Sequence, residues 1–505
     1  MNRFTRSAIC AAIFAASVPS VYAATDVFFN PLTQSAAVAQ VPNHINELNS
    51  PWQLPAGITY KNLTSLKEIE ADPSQSSVRV PGLGTGASMT DMAAFDPSGR
   101  YIFLPHETMY GAGLSRYDMK TDKTVNLFKG DMNGEHGEWS GDYGALDPAT
   151  WTPKNTILVA EEWSGQGRMF EVVNPMADVE AGEEVIVNEL TNVPNVSIEG
   201  LRPNHAGTAI YFIDEDKSGS FYKYVPTVKD DYSKGQTFVL VVNDFAGDAS
   251  KNWNDAANVG AVRTGKATWV AITDVNGKAL TEADPFDNVT RGGRAAADEV
   301  NGTPYGRPED LEVGYVRNGN EVIYCNATSE NAVYSIEELG NGEALVRLAV
   351  DPATTPYNLG YAGTTGTISD PDNLAQDALG NIYIVEDKPN GDNIGGDVWF
   401  LRDTDNDGVA ESIDHFMSLQ VKGAENTGMI FRPNHPTQFI INVQHPDSTD
   451  VAGGMGDATW LIDMKGVVAP PCVKDDDHHE GSSEVNACNS DNNSNFVEAL
   501  KEAGR

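Results

Sequence analysis

The sequence predicts an all-β chain folded as a six-bladed β-propeller. Three observations carry that expectation: a strand that recurs at near-constant spacing, acids that bracket the hairpin at each recurrence, and a third strand after each pair. The recurring strand is β-branched and aromatic, with copies at Tyr101–Leu104, Ile157–Val159, Ile210–Ile213, Val322–Tyr324, Ile382–Val385 and Phe439–Val443. The copies start 56, 53, 112, 60 and 57 residues apart. All-strand repeats of this size are the signature of propeller blades. The spacing of 112 residues is double the others, so an insertion or a seventh blade falls between Ile213 and Val322. The segment Ala267–Asp274 has strand composition but lacks the bracketing acids, which favours an insertion after the third blade.

Residues 1–23 read as an export signal. Arg3 and Arg6 make a positive start, Ile9–Val18 is an apolar run too short to span a membrane, and Val21-Tyr22-Ala23 fits a cleavage site. This reading puts the mature protein in the periplasm or outside the cell. Cys10 would leave with the signal, and Cys472 and Cys488 are expected to pair in an oxidising compartment. Cys325 lies within a strand and is expected to be buried.

Residues 24–87 form a lead-in, from which one strand near Gly57–Tyr60 can complete the last blade and close the ring. Within it, Gly82–Gly86 is no phosphate loop, because neither a helix pattern nor Lys-Ser/Thr follows it. Residues 88–466 hold the blades. Residues 467–505, with Asp475–Glu480 and Asn/Ser runs, read as a flexible tail. The formal net charge of −38 argues against nucleic acid or an anionic membrane as partner.

The acids are not scattered. First strands open at Asp91, Asp142, Glu199, Glu309, Asp372 and Glu425, and second strands end at His106-Glu107, Glu161-Glu162, Asp214, Asn326, Glu386-Asp387 and His445. A hairpin brings both ends to one place, and the first strand of a blade lines the central channel. One mouth is therefore expected to be ringed by carboxylates. Two such charges 4 Å apart repel by roughly 4 kcal/mol at an effective dielectric of 20. Multivalent cations are the simplest compensation.

Asp403-Thr404-Asp405-Asn406-Asp407-Gly408, with Glu411 and Asp414, reads separately as a calcium loop. Acids at positions 1, 3, 5 and 12 and glycine at 6 assign Asp403, Asp405, Asp407 and Asp414 as its ligands. Arg307, Lys154 and Lys388 stand near the ring acids and suit either an anionic substrate or salt bridges. Gly134–Trp139 is rich in ligand types but reads as a surface loop.

Four stretches resemble signatures of the PhoX-type alkaline phosphatases: Thr156–Glu162, Tyr305–Asp310, Asp370–Ala375 and Asn442–Pro446. The resemblance spans most of residues 88–450. It implies a six-bladed propeller with calcium and iron at the channel mouth, acting on phosphate monoesters. It implies Glu162, Glu199, Glu309, Asp372 and Glu425 as metal ligands, with Asn326 and Glu386 as further ligands, and Arg307 as the group that holds phosphate. Two departures bear on the metal. Ala160 stands where the family often has an iron-binding cysteine, and the leader has no twin-arginine pair. Both point to a calcium site loaded after export, with iron in question. The substrate would be a small anion, a phosphate ester; the oligomeric state is not encoded in these patterns. Two other functions stay open. One is a calcium-dependent lactonase or phosphotriesterase-like propeller, with His106 or His445 as base. The other is a non-enzymatic calcium-stabilised binding propeller.

Overall fold

The recurring strands are apolar throughout because both of their faces are covered. All five residues of Ile157–Glu161 and of Ile382–Glu386 are buried, as a strand packed between neighbouring sheets requires. The computed structural model describes residues 27–38, 51–79, 88–163, 166–361, 365–387, 395–447, 454–468 and 492–503. The export signal, Cys10, Lys388, Cys472 and Cys488 lie outside these residues.

The lead-in provides β1 (Trp52–Gln53), β2 (Thr59–Ser65) and a short helix, α1 (Leu66–Ala71). The first sheet holds β3 to β6 (Ala94–Phe95, Tyr101–His106, Gly113–Asp118, Lys123–Lys129). The second holds β7 to β10 (Leu146–Trp151, Ile157–Glu161, Met169–Val172, Val187–Glu189). A nine-stranded sheet follows. It is built of β11 to β14 (Leu201–Pro203, Ile210–Ile213, Phe221–Val228, Asp231–Val242), β15 (Gly265–Ala271), and β16 to β19 (Pro308–Tyr315, Glu321–Ala327, Ala332–Gly340, Glu343–Val350). The last two sheets hold β20 to β23 (Pro371–Gln376, Ile382–Glu386, Asp397–Arg402, Ser412–Leu419) and β24 to β26 (Glu425–Phe431, Gln438–Gln444, Ala458–Asp463). All ladders are antiparallel, the meander expected of propeller blades.

The double-length spacing has a structural cause. β15 pairs with β14 on one side (Phe238↔Ala271) and with β19 on the other (Gly265↔Val346), so it joins two four-stranded units at their outer edges. Among the described residues the insertion builds no sheet of its own. It also carries the helix α2 (Gly292–Glu299).

Ring closure comes from the lead-in. β2 pairs with β26 (Tyr60↔Ile462) and becomes the fourth strand of the last sheet, while β1 caps β23. At the inner end, Asn442 Nδ2 donates to the Asp91 carbonyl (3.0 Å) and Thr427 Oγ1 donates to the Asp91 carboxylate, tying the last sheet to the segment before β3.

The core lies between adjacent sheets. Phe103, Leu114, Leu146, Val159 and Phe170 fill one such layer, and Tyr383, Phe400, Phe416 and Phe439 another, their rings largely edge to face. Each fully buried side chain of this size contributes about 1.5–3 kcal/mol.

The tail departs from expectation. Asn492–Ala503 is a helix, α3, and not a flexible segment. Phe496 and Leu500, one turn apart in a polar stretch, put two apolar groups on one face, and both are buried. Phe496 stacks on Phe28 with ring centroids 3.6 Å apart. Leu500→Ala is therefore expected to lower unfolding stability by about 3 kcal/mol in a chemical denaturation series; an unchanged midpoint would mean that the helix is not docked.

Candidate metal centre

Backbone irregularity aims the acids. The ladder register slips at Leu146/Ala149 in β7, at Pro308/Leu311 in β16 and at Pro371/Asn373 in β20. Asp147, Glu309 and Asp372 are the residues inside those slips. A bulge breaks strict alternation and re-aims a side chain, and here it does so at the same place in three units. Pro148, Pro308 and Pro371 stand beside these acids, where a missing N–H is tolerated.

Three carboxylate groups result, each with ligand oxygens within 4.8 Å of one another: Glu199, Glu309 and Asp372; Glu162, Glu199 and Glu215; and Asp91, Glu107 and Asp147. Glu199 belongs to two of them. Burial pushes Glu107, Asp147, Glu162, Glu199 and Asp372 well above the ordinary carboxylate range, and neighbouring acids add to the effect. Asp91 rises to about 7, by burial and then the charges of Asp387 and Asp310. Glu215 also rises to about 7, by burial and the charge of Glu309, although Arg307 pulls it down.

The donor census fits a cation. Asp372 Oδ1, Asp147 Oδ1, Asn326 Oδ1 and Gln444 Oε1 are buried oxygens with no hydrogen-bond partner among the described residues, and Glu309 Oε1 has only the approach of Arg307 Nη2 at 3.2 Å. A buried acceptor left this way costs about 1–3 kcal/mol, so four of them beside a carboxylate cluster suit a bound cation. The set is all oxygen. Cys325 offers no alternative, because burial raises its thiol well above the ordinary value and its Sγ points to the Asn326 carbonyl at 3.4 Å.

Arg307 stands at the edge of this centre. Its backbone is left-handed (φ 55°), fixed by its N–H on the Asp216 carbonyl and its carbonyl on the Thr328 N–H. The guanidinium contacts Glu215 and lies 3.2 Å from Glu309, with 34% of the side chain exposed. Lys154 is elsewhere, paired with Glu171 at 3.0 Å.

The remaining sequence candidates fall as follows. Glu425 lies against Asp387, and its Oε1 is 3.3 Å from His445 Nε2, outside the three groups. Asn326 donates to the Asp372 carbonyl. Glu386 is set apart: it accepts from Ser369 N, Trp399 Nε1 and Asp397 N at 2.8–2.9 Å, and Asp387 is the acid beside Glu425. Asp142 is a loop brace that accepts from the N–H groups of Gly111 and Gly134, and Asp147 occupies the strand position instead. His106 is buried and faces Ser115 at 2.8 Å, and burial holds its pKa down at about 3.

The acidic loop also changes in composition. Asp403, Asp405 and Glu411 bring oxygens within 4.8 Å, whereas Asp407 accepts from Val409 N. Asp414 is not a loop ligand. The chain enters β23 at Ser412, which carries Asp414 into the sheet opposite Phe400, where Arg402 Nε meets it at 3.0 Å. A helix would have returned position 12 to the loop; a strand does not.

Asp91, Glu107, Asp147 and Glu215 joined the groups without having been singled out as ligands. One signal was available. Second strands end in two polar residues, and the first of each pair faces the frame while the second faces the channel: His106 then Glu107, Glu161 then Glu162, Asp214 then Glu215.

Residues 195–447, half of the chain, match the family described as Alkaline phosphatase PhoX. No curated protein matches the sequence. Among solved structures, Pseudomonas fluorescens PhoX in complex with vanadate, a transition state analogue, is 14% identical. That match covers 86% of this chain and 98% of the other, with a TM-score of 0.55, and shows a common fold. A Bacteroides thetaiotaomicron protein of unknown function is 10% identical over 80% and 76% of the two chains, at TM-score 0.42. The periplasmic gluconolactonase of Pseudomonas aeruginosa is 14% identical over 77% and 90%, at TM-score 0.34.

A raised carboxyl pKa means that the folded state binds more protons than the unfolded chain. Stability then falls as pH climbs from the ordinary value near 4 through the folded value near 7 for Asp91 and Glu215. Each such group is worth on the order of 4 kcal/mol over that window. The metal-free protein is expected to melt at a lower temperature at pH 8 than at pH 5.5, and a divalent cation to restore most of the loss. Melting temperatures in chelator across this range test it; a flat profile would contradict it.

Proposed function

This chain belongs to the PhoX alkaline phosphatase family, and on that premise we propose that it is an exported phosphatase that hydrolyses phosphate monoesters at a carboxylate-held metal group in the propeller channel. The observation that carries the reading is the pair of buried oxygens on Asp372 and Asp147 without a hydrogen-bond partner, beside Glu309 and the one arginine that approaches it. Glu199, Glu309 and Asp372, Glu162 and Glu215, and Asp91, Glu107 and Asp147 are the residues that would hold metal. An all-oxygen set of carboxylates suits calcium or another hard cation, and Ala160 offers no thiolate for iron. The chemistry such a metal supplies is Lewis-acid neutralisation of charge on the transferring phosphoryl group.

The chain's own residues do the rest. Arg307 keeps a planar fork of N–H donors over the centre, pre-oriented by Glu215 and Glu309, and can grip two phosphoryl oxygens. The left-handed backbone is held by two backbone hydrogen bonds, and the contacts to Glu215 and Glu309 restrain the guanidinium. The vanadate bound by the Pseudomonas fluorescens protein supports a phosphate ester as the substrate class. Residues 1–23 support export to the periplasm or beyond.

Arg307→Gln is expected to lower kcat/KM on p-nitrophenyl phosphate by about 100-fold, and Arg307→Lys by less, because a point charge loses the fork. Dialysis against chelator is expected to abolish turnover and calcium to restore it. Steady-state kinetics check both; turnover indifferent to chelator would overturn the metal assignment.

A further inference from the structure

Three loops open at the mouth that carries the acids. Residues 107–112 follow β4 and its Glu107, residues 162–163 follow β8 and supply Glu162, and residues 130–145 lead into β7 and its Asp147. Backbone hydrogen bonds join them: Glu162 N–H donates to the Ala145 carbonyl at 2.9 Å, and Ala145 N–H to the Thr108 carbonyl at 2.6 Å.

One large ring comes from each loop. Tyr110, Trp139 and Trp163 are mutually packed, with centroids 5.8 Å (110–139), 5.9 Å (110–163) and 5.3 Å (139–163) apart. All three stay half-exposed, and Met109 beside them is 65% exposed. Trp139 is braced from behind. A Cβ at Gly134 would come within 2.7 Å of its ring, so that position must be glycine for the indole to sit there, and one at Gly144 would crowd the ring at 3.0 Å. Arg168 Nη1 donates to the Trp139 carbonyl at 3.2 Å. Trp163 directly follows the metal-group residue Glu162.

Half-exposed rings held rigid on a polar rim offer a flat apolar face next to a site for a small anion. Apart from Arg307 at the centre and Arg168, which is paired with Glu161, the charged groups named at this mouth are acids; they disfavour a second negative group and leave an uncharged planar group as the best fit. We propose that Tyr110, Trp139 and Trp163 form a leaving-group subsite, which gives the enzyme a preference for phosphate monoesters of planar aromatic alcohols over those of small aliphatic ones. This rests on the phosphatase reading. No covalent step involves the rings; they bind the alcohol portion while the phosphoryl end meets the carboxylate centre and Arg307.

The test compares the calcium-loaded full chain with Trp163→Ala and Trp163→Phe on 1-naphthyl phosphate and glycerol 2-phosphate. The subsite predicts that the ratio of the two kcat/KM values falls about tenfold in the alanine variant, mostly through KM for the aryl ester, and recovers in the phenylalanine variant. A loop merely loosened by the substitution would lower both substrates in parallel and leave the ratio unchanged, which overturns the proposal. Quenching of tryptophan fluorescence by 1-naphthol is measured alongside. If the wild type hydrolyses neither ester, the phosphatase reading fails, and the quenching still decides the subsite: saturable quenching lost in Trp163→Ala sustains it, and its absence in the wild type ends it.

Discussion

Repulsion among buried carboxylates at one channel mouth is the constraint on which the structure turns. Any two of these charges at contact distance oppose each other by roughly 4 kcal/mol at a dielectric of 20, and Glu199 alone touches two groups of them. Folding cannot remove that energy by packing. The carboxyls must take up protons, as the raised values for Asp91 and Glu215 express, or share multivalent positive charge.

Frame acids and channel acids are treated differently. Glu161 has Arg168 at 2.6 Å, Asp214 has Arg294 at 2.5 Å, Asp310 has Arg202 at 3.4 Å and Asp414 has Arg402 at 3.0 Å. Asp147, Glu162, Glu199 and Asp372 have no Lys or Arg partner among the described residues. These four frame acids are each met by an arginine, and these four channel acids are not; of the channel acids, Glu215 and Glu309 share Arg307. That contrast separates a metal centre from general acidity. Arg294 also shows what the insertion contributes, because α2 clamps the Asp214–Asp216 turn that presents Glu215.

The blades and the location of the centre were legible in the sequence, because strand spacing and recurring acids are one-dimensional patterns. What could not be read was register. Whether Glu386 or Asp387 faces the channel depends on a one-residue phase, and a single slip exchanges the two faces of a strand. The second unit shows the same limit: its first acid in sequence is Asp142, but the acid inside its bulge is Asp147. Asp414 matched a loop numbering that presupposes a helix, and the chain continues as a strand. Phe496 and Leu500 were lost in a tail whose composition masks a two-residue docking face.

The most direct test is calorimetric titration of the metal-free protein with calcium at pH 7, run in two buffers of different ionisation enthalpy. Carboxyls with raised pKa values must shed protons to bind a cation, so the account predicts saturable binding with net proton release, both reduced in a Glu309→Gln/Asp372→Asn double variant that removes two of the three ligands of one group. Absence of binding, or binding that the double variant leaves untouched, would contradict it.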